Sequence, residues 1–257
     1  MTTPNLPDFS LKGKVAIVTG GSKGIGRAIA LTYAEAGANV CIASRTAEDL
    51  EKVAVEIRAL GRKALVVPTN VALKADVDNM VDKCIEEFGT IDILVNNAGM
   101  NVMVPLMELR EDGWDKVMNN NLKSGYLCSQ AAATKCMLEK KSGVIINVSS
   151  IAGRFPIYQL GAYSVAKSGV VMLTRVLSWE LAQHGIRVNG IGPGLIHTDL
   201  GEPVMESPAL ELMVKVGVPM KRLGHTSEIT GAALYLASNA SSYMSGQTMY
   251  IDGGVPV

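Results

Sequence analysis

Tyr163 and Lys167 are the pair of residues whose types and spacing point most directly to acid–base chemistry. They lie four positions apart in Tyr163 to Gln183, an amphipathic segment of helix length, so their side chains share one helix face. A phenol with a pKa of about 10 is a poor base at neutral pH, but a nearby ammonium favours the phenolate. The pair therefore predicts general acid–base catalysis, although a surface pair on an amphipathic helix has the same spacing.

A glycine-rich turn follows the first apolar run of the chain. Thr19 to Gly26 reads TGGSKGIG and separates a run of strand length from a segment of helix length. Glycines there permit a tight turn and let backbone N–H groups approach a pyrophosphate, which the N-terminus of the following helix favours. We interpret the turn as a dinucleotide site. An ordinary glycine-rich turn is the alternative, since the spacing differs from GxGxxG by one residue.

Apolar runs of strand length alternate with amphipathic segments of helix length along most of the chain. The predicted strands are Val15 to Thr19, Val40 to Ala43, Ala64 to Val67, Ile91 to Val95, Val144 to Val148, Ile186 to Ile191 and Thr248 to Ile251. The predicted helices are Gly26 to Ala36, Ala47 to Leu60, Lys74 to Phe88, Trp114 to Glu139, Tyr163 to Gln183 and Ser227 to Ser238. This alternation predicts a doubly wound α/β fold: a parallel sheet of about seven strands, with helices on both faces and ligands at the carboxyl ends of the strands.

One domain is the simplest organisation, because no internal repeat or flexible linker divides the sequence. We expect a single dinucleotide-binding oxidoreductase domain over residues 1–257, beginning with a polar leader at 1–10. The strand–helix alternation is interrupted at 198–225, where three prolines surround a short helical stretch, Ala209 to Val216. We interpret this segment as a lid over the substrate site.

Further motifs follow the TGxxxGxG turn in order. They are Asn96-Asn97-Ala98-Gly99, Asn121 before Leu122, Ser150, the YSVAK run from Tyr163 to Lys167, and Pro193-Gly194. With these motifs, the sequence resembles the short-chain dehydrogenase/reductase family, whose fold is Rossmann-like, from Leu11 to Gly254. The resemblance implies a catalytic tetrad of Asn121, Ser150, Tyr163 and Lys167, and it selects Ser150 over Ser149 and Asn121 over Asn119 and Asn120.

The resemblance also implies a role for each member of the tetrad. Tyr163 acts as general acid in reduction and as general base in oxidation, while Ser150 hydrogen-bonds the reacting oxygen. Asn121 holds a water that connects Lys167 to solvent. The hydride itself comes from the nicotinamide.

The predicted cofactor is NADP(H), because Ser44 and Arg45 occupy the place where NAD-binding folds usually carry an acidic residue. Arg45 offers a forked cationic donor to a 2′-phosphate, and Lys23 approaches the same group from the glycine turn. The alternative is that Arg45 only starts an exposed helix and Lys23 is solvated. The resemblance places Asn70 and Val71 near the adenine, although many family members have aspartate in place of Asn70.

The resemblance assigns the remaining cofactor contacts to the NNAG motif and to the segment after Pro193, which holds the nicotinamide amide. The predicted cofactor residues are Gly20, Ser22, Lys23, Gly24, Ile25, Gly26, Ser44, Arg45, Asn70, Val71, Asn97, Ala98, Gly99, Tyr163, Lys167, Pro193, Gly194, Ile196 and Thr198.

Substrate contacts are expected from Met100 to Val104, from Arg154 to Leu160 and from the lid. The candidate substrate residues are Ser150, Tyr163, Met100, Arg154, Tyr158 and Met205. These segments are mostly apolar, and a methionine-containing lid adapts to several shapes, although methionines at helical spacing also suit a core. Arg154 either meets an anionic substrate or is solvated.

The leading interpretation is a carbonyl reductase or secondary-alcohol dehydrogenase that uses NADP(H). A 3-oxoacyl-(acyl-carrier-protein) reductase is an alternative that calls for a basic docking patch, to which Lys141 could contribute. His184, however, stands where those reductases commonly carry a basic side chain. A sugar-acid or polyol dehydrogenase fits the apolar lid poorly, and an NADP-sensing binding module has no need of the intact tetrad.

Composition and charge limit the kinds of partner that the protein is expected to bind. Lysine plus arginine and aspartate plus glutamate both number 24, so no long-range field attracts nucleic acid or a membrane surface. The beginning of the chain lacks a secretory pattern, which predicts a cytoplasmic protein. The scattered histidines and cysteines predict no metal. Family resemblance implies a homotetramer that acts on a small-molecule carbonyl or alcohol, with two long helices packed across one interface.

Overall fold

Seven parallel strands form the central sheet, in the spatial order β3-β2-β1-β4-β5-β6-β9. The structure is a computed structural model and describes residues 7–198 and 208–256. The strands are β1 (Val15–Thr19), β2 (Asn39–Ser44), β3 (Ala64–Pro68), β4 (Ile93–Asn96), β5 (Gly143–Val148), β6 (Ile186–Pro193), β7 (Ile196–His197), β8 (Gly224–His225) and β9 (Thr248–Ile251). The helices are α1 (Gly24–Glu35), α2 (Ala47–Ala59), α3 (Lys74–Phe88), α4 (Glu111–Met118), α5 (Ser124–Ala132), α6 (Leu138–Lys140), α7 (Gly161–Leu181), α8 (Pro208–Gly217) and α9 (Thr226–Ala237).

Helices cover both faces of the sheet, so the strands are buried on both sides. In β1, Ala16 and Val18 face a core formed with α1, α2 and α9, whereas Val15 and Ile17 face a second core formed with α3, α5 and α7. This alternation follows the two-residue period of a strand. The single-domain, doubly wound α/β fold predicted from the sequence is confirmed.

The order of the strands reverses next to β1, which pairs with β2 on one side and with β4 on the other. The chain first builds outward through β2 and β3 and then returns to add β4, β5 and β6. In such sheets a crevice opens beyond the carboxyl ends of the strands where the direction changes. The glycine turn after β1 and the NNAG motif after β4 meet at this point.

The long helix predicted over Trp114 to Glu139 is instead an interrupted one. Two π-helical turns, Asn119–Lys123 and Ala133–Met137, separate α4, α5 and α6. Each π turn inserts one residue into the helical repeat, and such bulges frequently occur at functional sites. The hydrophobic period of the sequence does not reveal this interruption.

Part of the predicted lid lies among the described residues. It contains α8, and its last two residues form β8, which pairs in parallel with β7. Residues 199–207, including the substrate candidate Met205, lie outside the described residues. No helix in the described ranges combines the length and the apolarity that crossing a bilayer requires.

Candidate active site

A cleft of about 310 Å³ lies at the switch point of the sheet. Most of the residues predicted to bind a cofactor line it. They are Gly20, Ser22, Lys23, Gly24, Ile25, Ser44, Arg45, Asn70, Val71, Asn97, Ala98, Gly99 and Thr198. The structure therefore brings residues from five separate segments of the chain into one surface.

Hydrogen bonds between the ends of β1 and β4 hold the floor of this cleft. The buried Thr19 hydroxyl donates to Val95 O at 3.2 Å and accepts from the N–H groups of Asn97 and Ala98 at 3.0 and 3.1 Å. The Asn97 amide donates to Thr19 O at 2.9 Å. The glycine turn and the NNAG motif are thus fixed to each other.

Gly26 shows why a glycine is needed where α1 begins. A Cβ at this position would lie 2.2 Å from Gly20 O and 2.4 Å from Asn97 Nδ2, closer than any real contact. The helix can therefore approach the turn only without a side chain. Gly26 supports the turn in this way but does not itself line the cleft.

Two polar side chains in the cleft fit a ligand rich in hydroxyl, phosphate and amide groups. Ser44 Oγ and Thr198 Oγ1 are buried, and neither has a hydrogen-bond partner among the described residues. Lys23 and Arg45 are exposed at the same cleft, and within residues 7–198 and 208–256 neither forms an ion pair. A buried polar atom without a partner is costly, so these groups suit a polar, anionic ligand.

Three tetrad residues meet where β5 ends and α7 begins. The Tyr163 hydroxyl is hydrogen-bonded to Ser150, which follows β5 and whose Oγ also accepts from Ala152 N at 3.1 Å. Lys167 lies one turn after Tyr163, with its Nζ 5.5 Å from the centre of the Tyr163 ring. The Lys167 ammonium donates to Val148 O at 2.8 Å. The helix thus places the phenol and the ammonium side by side.

Asn121 lies in the first π turn and ties it to the loop after β4. Its amide nitrogen donates to Met100 O at 2.7 Å and to Val117 O at 2.8 Å, and its Oδ1 accepts from Met100 N at 3.3 Å. A Cβ on Gly99 would lie 2.6 Å from Asn121 Oδ1 and 3.5 Å from Lys167 Nζ. The four predicted tetrad residues therefore converge, although the Asn121 side chain bonds backbone groups.

Burial governs the ionisation of the tyrosine–lysine pair. It raises the pKa of the Tyr163 phenol, and the hydrogen bond with Ser150 opposes this only in part. Burial also lowers the pKa of the Lys167 ammonium to about 8. The lowering of the tyrosine pKa argued from the sequence is thus wrong for the protein alone, because removing a phenolate from water outweighs the hydrogen bond with Ser150.

Sequence reasoning missed three residues of the cleft wall: Ala43, Thr69 and Asn120. Ala43 and Thr69 lie at the carboxyl ends of β2 and β3, so strand ends alone were a usable signal for them. Asn120 adjoins Asn121 and was set aside on the family pattern. Conversely, the predicted cofactor residues Tyr163, Lys167, Pro193, Gly194 and Ile196 lie outside this cleft, and their contacts with a cofactor stay predictions.

The substrate candidates have different positions. Met100 lines the cleft, and Tyr158 is 82% exposed. The Arg154 guanidinium stacks 4.5 Å above the centre of the Tyr250 ring, on the last strand of the sheet. A cation–π contact of this kind holds Arg154 at the sheet edge. Its contact with an anionic substrate stays a prediction.

Comparison with known proteins identifies the family of this chain. The family model described as enoyl-(acyl carrier protein) reductase matches residues 20–256. The 3-oxoacyl-(acyl-carrier-protein) reductase FabG of Staphylococcus epidermidis is 38% identical over 94% of this chain and 98% of its own. The chain therefore belongs to the short-chain dehydrogenase/reductase family of oxidoreductases.

Solved structures show the same relationship. A short-chain type dehydrogenase/reductase from Mycobacterium marinum is 40% identical, with a TM-score of 0.91 and 96% of both chains covered. A gluconate 5-dehydrogenase from Burkholderia cenocepacia, solved in complex with NADP and tartrate, is 35% identical over 96% of both chains, also with a TM-score of 0.91.

Replacing Lys167 tests the effect of burial on its charge. The pKa falls from 10.5 in the unfolded chain to about 8 in the folded one, so the unfolded state binds more protons between these pH values. The free energy of unfolding therefore rises by about 3 kcal/mol from pH 8 to pH 10.5. Lys167→Met removes the increase with pH. Urea unfolding should therefore show the free energy of unfolding of the variant falling, relative to the wild type, by about 3 kcal/mol between pH 8 and pH 10.5.

Lys83→Met is the matched control, because Lys83 is exposed and forms no ion pair within the described ranges. It leaves the pH dependence of unfolding as in the wild type. A Lys167→Met stability difference that stays constant from pH 7.5 to 10.5 contradicts the lowered pKa.

Proposed function

We propose that this protein is an NADP(H)-dependent reductase of ketones or aldehydes, which also oxidises the corresponding alcohols. The single observation that carries the proposal is the partly buried Tyr163 phenol, bonded to Ser150 and next to Lys167, close to a cleft lined by cationic and glycine-rich segments. A sensing module has no use for this proton-transfer group. We propose that the candidate substrate residues surround the carbonyl in this region, beneath the lid.

Tyr163 is protonated near neutral pH, which is the form that carbonyl reduction requires. Because burial raises its pKa, the phenol keeps its proton and can donate it to the carbonyl oxygen. Ser150 hydrogen-bonds the same oxygen and orients it toward the phenol. NADPH, held by the residues of the cleft, would supply the hydride for the carbonyl carbon. Lys167, with a pKa of about 8, is mostly charged at pH 7 and favours the phenolate that remains.

The preference for NADP(H) rests on the charges around the adenine end of the cleft. Arg45 and Lys23 are free of carboxylate partners among the described residues, and Ser44 brings a buried hydroxyl to the same cleft. We assign the 2′-phosphate to Arg45 and Lys23, since guanidinium and ammonium groups are both good phosphate donors. The NADP-bound relative from Burkholderia cenocepacia supports this choice of cofactor.

Removing the Tyr163 hydroxyl tests the proposed chemistry. We expect Tyr163→Phe to lower kcat for ketone reduction by about a thousandfold, because general acid catalysis contributes on that scale. The dissociation constant of NADPH, followed by fluorescence, stays within twofold of the wild type. Tyr243→Phe, which alters a fully exposed tyrosine, keeps normal turnover. A Tyr163→Phe enzyme with unchanged kcat contradicts the proposal.

Arg45→Ala tests the choice of cofactor. We expect the ratio of kcat/KM with NADPH to that with NADH to fall at least about tenfold, since a charged hydrogen bond to phosphate is lost. Arg58→Ala changes an exposed arginine of α2 outside the cleft and leaves the ratio unchanged. A wild-type enzyme that prefers NADH overturns the assignment of Arg45 and Lys23.

Reduction of 3-oxoacyl thioesters is the second candidate function, because curated relatives at 38–39% identity carry that activity in their names. The structure also places Lys141 next to the segment that follows His184. A Cβ on Gly185 would lie 2.4 Å from Lys141 O. An acetoacetyl thioester, assayed beside simple ketones and a sugar acid, separates this candidate from the leading one.

We also propose that the protein is a homotetramer. Four apolar side chains follow one face of α7 and are exposed: Val165, Met172, Val176 and Trp179. Exposed apolar stripes of this kind suit a subunit interface. In sedimentation velocity at micromolar concentration, we expect four times the 27.2 kDa chain mass. We expect Met172→Glu to dissociate the tetramer. Val55→Glu, on the exposed face of α2, is the control and leaves the tetramer intact. A wild-type protein that sediments as a monomer contradicts the proposal.

A further inference from the structure

A small polar cavity lies inside the protein beside the active-site cleft, and Ala98 lines both. The cavity is bounded by the ends of β4 and β5 and by helices α5 and α7. Its volume is about 10 Å³, which is about the smallest that admits one water molecule. The lining residues that matter here are Asn96, Asn121, Ser124, Gly125, Cys128 and Leu173.

Asn96, the last residue of β4, brings an unpaired oxygen to this cavity. The residue is only 9% exposed, and its Oδ1 has no hydrogen-bond partner among the described residues. Its Nδ2 donates to Asn147 Oδ1 at 2.8 Å and to Ser129 Oγ at 2.9 Å. These two bonds fix the orientation of the amide, so Oδ1 cannot turn toward another protein donor. A buried acceptor in this position is costly unless an internal water molecule pairs with it.

The other polar groups of the cavity are also acceptors, and this defines the ligand. Ser124 Oγ donates its hydrogen to Asn120 O at 2.8 Å and therefore offers only lone pairs. Asn121 Oδ1 accepts one bond, from Met100 N, and has a second lone pair. A water molecule has two hydrogens, so it can join Asn96 Oδ1 to one of these oxygens. The described residues that line the cavity carry no charge, which disfavours an ion.

We propose that one internal water molecule binds in this cavity, donates to Asn96 Oδ1 and to a side-chain oxygen of Asn121 or Ser124, and makes Asn96 a positioning residue for Asn121. Asn121 belongs to the first π turn, and Ser124 directly follows that turn. The bonds between Asn121 and Met100 already tie the turn to the loop after β4. The water adds a second tie, to β4 itself. The positioning role rests on the proposed reductase function, whereas the water site does not.

Gly125 provides a way to fill the cavity without disturbing its walls. Among the described residues, a Cβ on Gly125 would meet only Leu173 Cδ2, at 3.6 Å, which is an ordinary contact. Gly125→Ala therefore adds a methyl group that displaces the water and leaves Asn96 Oδ1 unpaired. Gly125→Ser adds a hydroxyl to the same carbon, and this hydroxyl can donate to Asn96 Oδ1 in place of the water.

High-resolution crystal structures of the wild type and the two variants test the site directly. We expect one water molecule within about 3.2 Å of Asn96 Oδ1 in the wild type. In Gly125→Ala this water is lost, and in Gly125→Ser the new hydroxyl takes its position. A wild-type cavity without a water molecule overturns the site.

Thermal unfolding separates a hydrated cavity from a dry one. Alanine has a higher helix propensity than serine, so a dry cavity predicts the higher Tm for Gly125→Ala. The water site predicts the higher Tm for Gly125→Ser, because only that variant satisfies the buried acceptor. The reverse order of the two Tm values overturns the water site.

Turnover tests the positioning role. We expect Gly125→Ala to lower kcat for ketone reduction about tenfold, because a small displacement of a catalytic group is costly. The dissociation constant of NADPH stays unchanged, and Gly125→Ser recovers most of the lost kcat. Gly231→Ala is the matched control: Gly231 is exposed in the interior of α9, and a Cβ there meets nothing within 4 Å. This control keeps the wild-type kcat.

Two kinetic results overturn the positioning role, namely an unchanged kcat in Gly125→Ala and equal losses in Gly125→Ala and Gly125→Ser. A wild type that reduces no carbonyl compound contradicts the proposed function itself. A dry wild-type cavity in an enzyme that does reduce ketones contradicts only this inference.

Discussion

The site depends on one buried hydroxyl, that of Thr19. It donates one hydrogen bond and accepts two, so its bonding capacity is filled, and all three partners belong to β4 or to the residues directly after it. The contact locks the glycine turn to the NNAG segment at the point where the strand order reverses. Two neighbouring parts of the site begin at these strand ends: α1 follows the glycine turn after β1, and the loop bonded to Asn121 follows β4. A side chain slightly larger or without the hydroxyl has no way to satisfy three backbone partners.

The second organising feature is the burial of Lys167 and the partial burial of Tyr163 beside it. Burial favours the neutral form of both groups and so shifts their pKa values in opposite directions. The phenol keeps its proton, and the ammonium loses its proton more readily. The helix supplies their spacing, and the end of β5 supplies Ser150 and the carbonyl of Val148 as polar contacts. The proton-transfer pair thus lies in a site that is unfavourable to charge. A charged ligand bound beside it would shift both pKa values.

Much of this organisation is readable in the sequence, because strand and helix periods and the glycine turn are local patterns. β1, β9 and α3 match their predicted bounds, and most of the predicted cofactor residues line one cleft. Three features escape such patterns. The π turns leave no trace in the hydrophobic period. The direction of the tyrosine pKa shift depends on burial summed over many neighbours. The stacking of Arg154 on Tyr250 joins residues about a hundred positions apart.

The first π turn has an implication for how this helix tolerates changes in length. A π turn holds one residue more than the α-helix around it, and each residue advances a helix by about 100°. Loss of one residue between Asn119 and Lys123 would leave an unbroken α-helix and would keep the apolar seam of α5 against the sheet. Asn121, however, would rotate away from Met100. A single-codon deletion here therefore acts first on the Asn121 contacts of the active site, which sets this segment apart from ordinary helix, where deletions disrupt the core first.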